Sequence, residues 1–147
     1  MAYAYHKMTS EEVQTFLDEP RFAVIATNRR DNAAQLTPVW YLFEDDKLYV
    51  SIFKDSAKYK NLKRDARVSA CIAGTHPDCR GVTLTGTAEL FTEGSEAWID
   101  DVSYRIMRRY HSSDEETEAY RDDEGERDKS ALMVLTPDKI LAQDFND

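Results

Sequence analysis

The chain has 147 residues, enough for one domain with a buried core that needs no disulfide support. Its 28 acidic against 19 basic side chains give a net charge of −9, which argues against general nucleic-acid binding, since that needs a basic footprint. Aromatic residues at 11% exclude a disordered acidic tail, and no apolar run approaches the ~20 residues that cross a bilayer.

Residues 1–7 lack the apolar core of a secretion signal. The two cysteines, Cys71 and Cys79, are too few for a disulfide framework. Together these features give the expectation of a reduced, cytoplasmic protein. The cysteines flank His76, but the spacing fits no standard zinc pattern and no fourth ligand is evident, so no metal is expected. Cys71 is expected as a buried strand thiol and Cys79 as a loop thiol.

In chain order, Thr9 and Glu12 form a capping box. Val13, Phe16 and Leu17 follow on one face at helical spacing, which predicts a short amphipathic helix ending at Pro20. Residues 21–27 are a β-rich run bounded by turn residues 28–32. A second strand, 35–43, contains Pro38, and a proline within a strand marks an edge or a bulge. A turn at 44–46 leads into 47–53, which alternates and completes a hairpin. Residues 55–64 read as a short helix with Asp55 or Ser56 as N-cap. Two strands follow at 67–73 and 81–91, and Gly86 hints at a bulge or bend in the second.

From 95 to 110 the pattern becomes helical, with Trp98, Val102, Ile106 and Tyr110 at steps of four. Residues 113–129 are polar and hold nine acidic against three basic side chains. Two final strands, 130–135 and 139–145, are joined at 136–138. About seven strands, mostly close enough for antiparallel pairing, and three or four helical pieces predict a mainly β fold. It is expected to be a small antiparallel barrel with helical insertions, in one domain over 1–147, rather than a doubly wound sheet.

No Gly-rich phosphate loop, nucleophile elbow or zinc-protease helix occurs. His6, His76 and His111 are scattered and are expected at the surface, so no catalytic side chain is assigned. The charge, however, is uneven. Lys54, Lys58, Lys60, Lys63, Arg64 and Arg67 face only Asp55 and Asp65, a local surplus of +4. This segment opens a helix at Ser56, Ala57 and Lys58, where free backbone N–H groups and the positive end of the helix dipole suit a phosphate. A solvated basic helix face explains the same charges. Residues 35–40 are the second notable stretch. The proline frees neighbouring backbone groups that can face a polar aromatic ring; the plainer reading is an edge strand with a core Trp40.

Taken in order, Ala26–Thr27, the run 35–41, 47–51, the run 56–69 from Ser56 to Ser69, 82–90 and 135–145 resemble the pyridoxamine 5′-phosphate oxidase-like, FMN-binding split-barrel superfamily. No single motif is strong, but the ordered series covers about 11–145. The resemblance implies a split barrel of about six to seven antiparallel strands that works as a homodimer. It also implies a flavin in the groove between subunits and transfer of hydride or electrons to a small-molecule redox substrate, with the cofactor carrying that chemistry. No nucleic acid or membrane partner is expected.

Carried over position by position, Lys58 resembles the lysine that holds the flavin phosphate, with Ser56 and Ala57 at the helix start beside it. Ser51, next to Ile52, matches a small hydroxyl residue near the phosphate and ribityl chain. Gln35, Thr37, Pro38, Val39 and Trp40 resemble the strand whose backbone lines the ring, with Pro38 and Val39 closest. Arg80 is a further cofactor-binding candidate, and Asn61 is expected to pack the helix. The chain departs from true pyridoxamine phosphate oxidases in having Ala57 where they carry an arginine and Gly81 where they carry a glutamine. It also lacks their arginine/histidine motif after Phe145, and Gln143 stands where some relatives have a tryptophan. It therefore resembles the small general reductase branch, whose members use FMN or the deazaflavin coenzyme F-420. FMN is the first expectation and F-420 the alternative; a flavin-binding or stress protein without turnover is a third.

Overall fold

The computed structural model describes residues 6–123 and 125–146. The signal reading of residues 1–5, and Glu124 of the acidic segment, lie outside them. The elements are β1 (His6–Lys7), α1 (Ser10–Asp18), β2 (Ala23–Thr27), β3 (Gln35–Val39), β4 (Leu42–Glu44) and β5 (Lys47–Phe53). They continue with α2 (Ala57–Arg64), β6 (Arg67–Ala73), β7 (Arg80–Thr92), α3 (Ala97–Arg109), α4 (Asp114–Asp123), a 3-10 turn (Arg127–Lys129) and β8 (Ser130–Asp144). All strands belong to one sheet in the order β3-β2-β6-β7-β8-β5-β4, with β1 pairing to β8 beside that path. Every pairing is antiparallel.

The predicted helix at Thr9 forms as its capping box dictates. Thr9 Oγ1 accepts the Glu12 N–H at 3.1 Å, and Glu12 Oε1 accepts the Thr9 N–H at 3.1 Å. Val13, Phe16 and Leu17 are buried on its inner face. The β4–β5 hairpin turns through Asp45 and Asp46 at φ of 53° and 59°, the left-handed pair that a two-residue turn of matching twist requires.

The predicted strand 35–43 is broken, and the break organises the fold. β3 pairs with β2 at one edge of the sheet, while β4 pairs with β5 at the other. Only Trp40 and Tyr41 separate them, so the sheet must curl to bring its edges together. Tyr41 enforces the break. Its hydroxyl donates into the carbonyls of Leu17 at 3.0 Å and Glu19 at 3.1 Å, and its N–H donates to the Tyr110 hydroxyl at 3.2 Å instead of a strand partner.

The two predicted final strands are one strand, β8. The pairing slips between Thr85 opposite Lys139 and Gly86 opposite Pro137, leaving Asp138 as the extra residue. The bulge absorbs a proline that cannot donate to the ladder. Gly86 is required there, because a Cβ at that position would lie 2.0 Å from the Thr136 carbonyl oxygen.

Two apolar cores result. The larger fills the barrel, with Phe16, Leu17, Ile25, Tyr41, Leu48, Ile72, Leu84 and Met133 at its centre. The smaller lies between α3 and the outer face of β8, joining Ile99, Val102 and Ile106 to Leu132 and Val134. Here Ile99 takes the inward position, while Trp98 is turned outward and meets Phe91 edge-on at 5.0 Å. Cys71 is exposed rather than buried, because it occupies an outward position of β6 opposite Val24 and Thr83. Among the described residues no helix is long and apolar enough to cross a membrane. No three His, Cys, Asp or Glu side chains among them gather as a metal-holding group.

Candidate functional site

A cleft of about 230 Å³ lies where the sheet's edges approach each other. Pro38, Val39 and Trp40 form one wall, and Ser51, Ile52 and Phe53 of β5 form another. Lys58 enters from the start of α2 and Ser130 from the start of β8. Phe22, Ile106, Met107 and Tyr120 complete the lining. The fold thus brings six of the sequence-predicted site residues together: Pro38, Val39, Trp40, Ser51, Ile52 and Lys58. Val39 and Ile52 border the cleft although their side chains belong to the barrel core.

Lys58 lies in the first turn of α2, where the N–H groups of Ala57 and Lys58 have no acceptor within the helix. Burial pushes the Lys58 ammonium below the usual lysine range, and Asp55 offsets this in part. Ser56 is the N-cap. Its hydroxyl accepts the Tyr59 N–H at 3.3 Å and donates to the Phe53 carbonyl at 2.6 Å. A hydroxyl has one hydrogen, so Ser56 shapes the helix start but has none left for a phosphate.

Gln35 and Thr37 do not line the cleft. Asn61, buried in α2, donates to both Gln35 Oε1 and Thr27 Oγ1 at 3.2 Å and so ties the helix to β2 and β3. Arg80 is also elsewhere. Its guanidinium forms a two-pronged pair with Asp78 at 2.9 and 2.8 Å and lies 4.8 Å over the Phe16 ring.

Two parts of the site carry no clear mark in the sequence. The first is an aromatic wall. Trp40 stacks on Tyr110 and meets His111 at 5.5 Å and Tyr120 at 5.3 Å between ring centroids. His111 is therefore half-buried against rings rather than free at the surface, and its Nδ1 lies 2.8 Å from the Met107 carbonyl. Tyr120 comes from α4, inside the acidic segment. The second is Glu93, buried behind Ser51 and accepting the Ser51 hydroxyl at 2.6 Å. In the sequence, Glu93 stands beside Gly94 and Ser95 and reads as part of a polar turn, so nothing signals its burial. The one available signal for Tyr120 is that an aromatic interrupts a run of charges.

The cleft is therefore lined by a cation from a helix start and by apolar and aromatic side chains. Such a site can hold an anion and a planar body together. Of the described residues that line it, Lys58 and Tyr120 carry ionisable side chains.

A single curled antiparallel sheet, with its edges split around a cleft of this kind, defines a split-barrel protein. The chain belongs to the pyridoxamine 5′-phosphate oxidase family, whose model matches residues 9–144. Among solved structures, a conserved hypothetical protein from Mycobacterium tuberculosis is similar at 25% identity and a TM-score of 0.79, over 95% of this chain and 86% of that one. An F-420 reductase is similar at 17% identity and a TM-score of 0.69, over 86% and 94% of the two chains. A FAD-binding protein from Mesorhizobium loti is similar at 14% identity and a TM-score of 0.70, over 97% of each. The last two establish likeness of fold alone. No curated protein sequence matches the chain.

Proposed function

We propose that this protein is an oxidoreductase that binds a flavin-type cofactor in the Lys58 cleft and exchanges hydride or electrons with a small-molecule substrate. One observation carries the reading: Lys58, from the start of α2, lines the same largely apolar cleft as Pro38 and Trp40. The donor set fits the group. The Lys58 ammonium and the first-turn N–H groups suit a phosphate, and the aromatic and aliphatic walls suit a ring. The reading is FMN, with the deazaflavin F-420 as the alternative, since both present a phosphate and a tricyclic ring. When bound, the cofactor supplies the redox chemistry. The chain's own residues then have binding and shielding work. Lys58 anchors the anion, β3 and Trp40 set the plane of the ring, and Phe22, Ile106, Met107 and Tyr120 keep water from it.

The same reading includes a homodimer. A volume of about 230 Å³ falls short of the ~300–1,000 Å³ usual for such sites, which favours a cleft completed by a second copy. Phe22 and Leu36 are 62% and 66% exposed beside Val24 on the outer face of the sheet, an apolar surface suited to burial between subunits. The free, exposed thiols of Cys71 and Cys79 suit a reduced compartment, and we place the protein in the cytoplasm.

The purified protein should take up FMN or F-420 with a change in visible absorbance, and added reduced nicotinamide cofactor or a hydride-donating substrate should bleach it. A protein that takes up neither would refute the proposal. Stable binding without any bleaching would instead favour a flavin-binding protein without turnover, a reading that the apolar shielding of the cleft also suits.

A further inference from the structure

We propose that Glu93 is a positioning residue that takes the only hydrogen of the Ser51 hydroxyl, leaving the Ser51 oxygen as an acceptor for a hydroxyl group of the ligand. The inference rests on the flavin reading and deepens it, because it assigns the part of the ligand that Ser51 meets.

Ser51 lines the cleft, and its hydroxyl donates to Glu93 Oε2 at 2.6 Å. An ionised carboxylate only accepts, and a serine has one hydrogen and two lone pairs. That hydrogen is therefore spent away from the cleft. Glu93 is held from its other side as well. The buried Ser103 hydroxyl donates to Oε1, and the Arg127 guanidinium stands 3.8 Å from the same oxygen. The Glu93 N–H donates to the Ser130 carbonyl at 3.0 Å. At 4% exposure, Glu93 needs such partners, because a buried polar group left without hydrogen bonds is costly. The network fixes both the position and the polarity of the oxygen that Ser51 presents.

The consequence concerns the phosphate. A phosphate dianion has no hydrogen to give, so it gains nothing from an oxygen that offers only lone pairs. Ser56 is in the same condition, its hydrogen being bound to the Phe53 carbonyl. Neither Ser51 nor Ser56 can donate to an anion while these bonds hold, so the phosphate is left to the Lys58 ammonium, the backbone of α2 and the Ser130 hydroxyl that also lines the cleft. Ser51 instead suits a polyol. In a flavin, the ribityl chain between ring and phosphate carries hydroxyls of that kind.

Three ligands separate these contacts: FMN, riboflavin, which lacks the phosphate, and lumiflavin, which lacks the ribityl chain. Affinities are read by fluorescence titration of the full-length protein. Ser51→Ala should weaken FMN and riboflavin by the same factor, about threefold to tenfold for one neutral hydrogen bond, and leave lumiflavin unchanged. In Glu93→Gln, Ser103 and Arg127 keep the amide oxygen on their side, so the amide donates to Ser51 and releases its hydrogen. A ligand hydroxyl can accept that hydrogen as readily as it donates its own, so this variant should leave riboflavin affinity nearly unchanged, and the double variant should be no weaker than Ser51→Ala alone. A loss on Ser51→Ala confined to FMN would overturn the proposal, as would additive losses in the double variant. If Glu93→Gln fails to fold, Ser51→Ala against the three ligands still decides the acceptor assignment. A wild-type protein that binds no flavin removes the flavin reading and this inference together; a wild type that binds, with the wrong pattern in the variants, removes this inference alone.

Discussion

The rings of Trp40 and Tyr110 lie face to face, 4.8 Å between centroids and inclined by 6°. The stack fastens the end of α3 to the two-residue break between β3 and β4. The Tyr110 hydroxyl completes the joint by donating to the Arg21 carbonyl and accepting the Tyr41 N–H. Tyr110→Phe keeps the stack but leaves those two backbone groups without their partner. It should destabilise the protein by about 1–3 kcal/mol in urea unfolding. Stability equal to wild type would show that the hydroxyl is not part of the joint.

Lys58→Ala should weaken FMN by roughly 10- to 150-fold, the value of one charge-assisted contact of about 1.5–3 kcal/mol. Riboflavin should bind the variant nearly as well as it binds the wild type. If both ligands lose affinity equally, Lys58 is not holding a phosphate.

The pH dependence follows from the same residue. Phosphate binding uses the charged ammonium, and burial lowers the pKa of Lys58 from the usual lysine value. The advantage of FMN over riboflavin should therefore be complete between the second ionisation of the phosphate, at about pH 6, and that lowered value, and fall as pH rises through the latter. Lys58→Arg should abolish the decline, because a guanidinium stays charged throughout. Titrating both ligands in parallel cancels ionisation of the ring itself.

Gly86→Ala would force a Cβ against the Thr136 carbonyl at the bulge. The expected cost is about 1–3 kcal/mol or more, seen as a lower urea midpoint with an unchanged slope. A neutral substitution would mean that β8 can shift its register there.

The proposed homodimer predicts that a charge on the outer sheet face will be expelled. Val24→Asp, whose side chain stands 38% exposed opposite Cys71, should convert a dimer into a monomer in sedimentation and weaken cofactor binding with it. A wild-type monomer at micromolar concentration would refute the shared cleft.

Local signals in the sequence carried much of the fold. The capping box at Thr9, the bounds of the strand at 67–73 and the end of the helix at Arg64 depend on neighbours a few residues away, and all three stand in the structure as read. Gly86 likewise marked its bulge. What escaped depends on distant partners. The break at Tyr41 is made by carbonyls of α1 and a hydroxyl of α3. β8 continues through Pro137 only because β7 supplies a glycine opposite it. For the candidate site, the surplus of basic charge and the proline strand pointed to two of its walls. Glu93 and Tyr120 could not be found that way: the burial of one depends on two serines in other elements, and the other reaches the cleft from a helix whose remaining residues are mostly solvated.

The single strand β8 sets a temporal order on the molecule. It joins β5 at Phe53–Ser130, runs along β7, and meets β1 at Asp144. Until residues 130–144 leave the ribosome, the β4–β5 hairpin has no hydrogen-bonded ladder to the other strands described and is tied to them through Trp40 and Tyr41. Lys58 and Ser51 therefore wait, long after their own synthesis, for the strand that closes the cleft around them. A growing chain lacks the closed cleft, and a ligand that binds this cleft marks out the molecules in which the barrel has been completed.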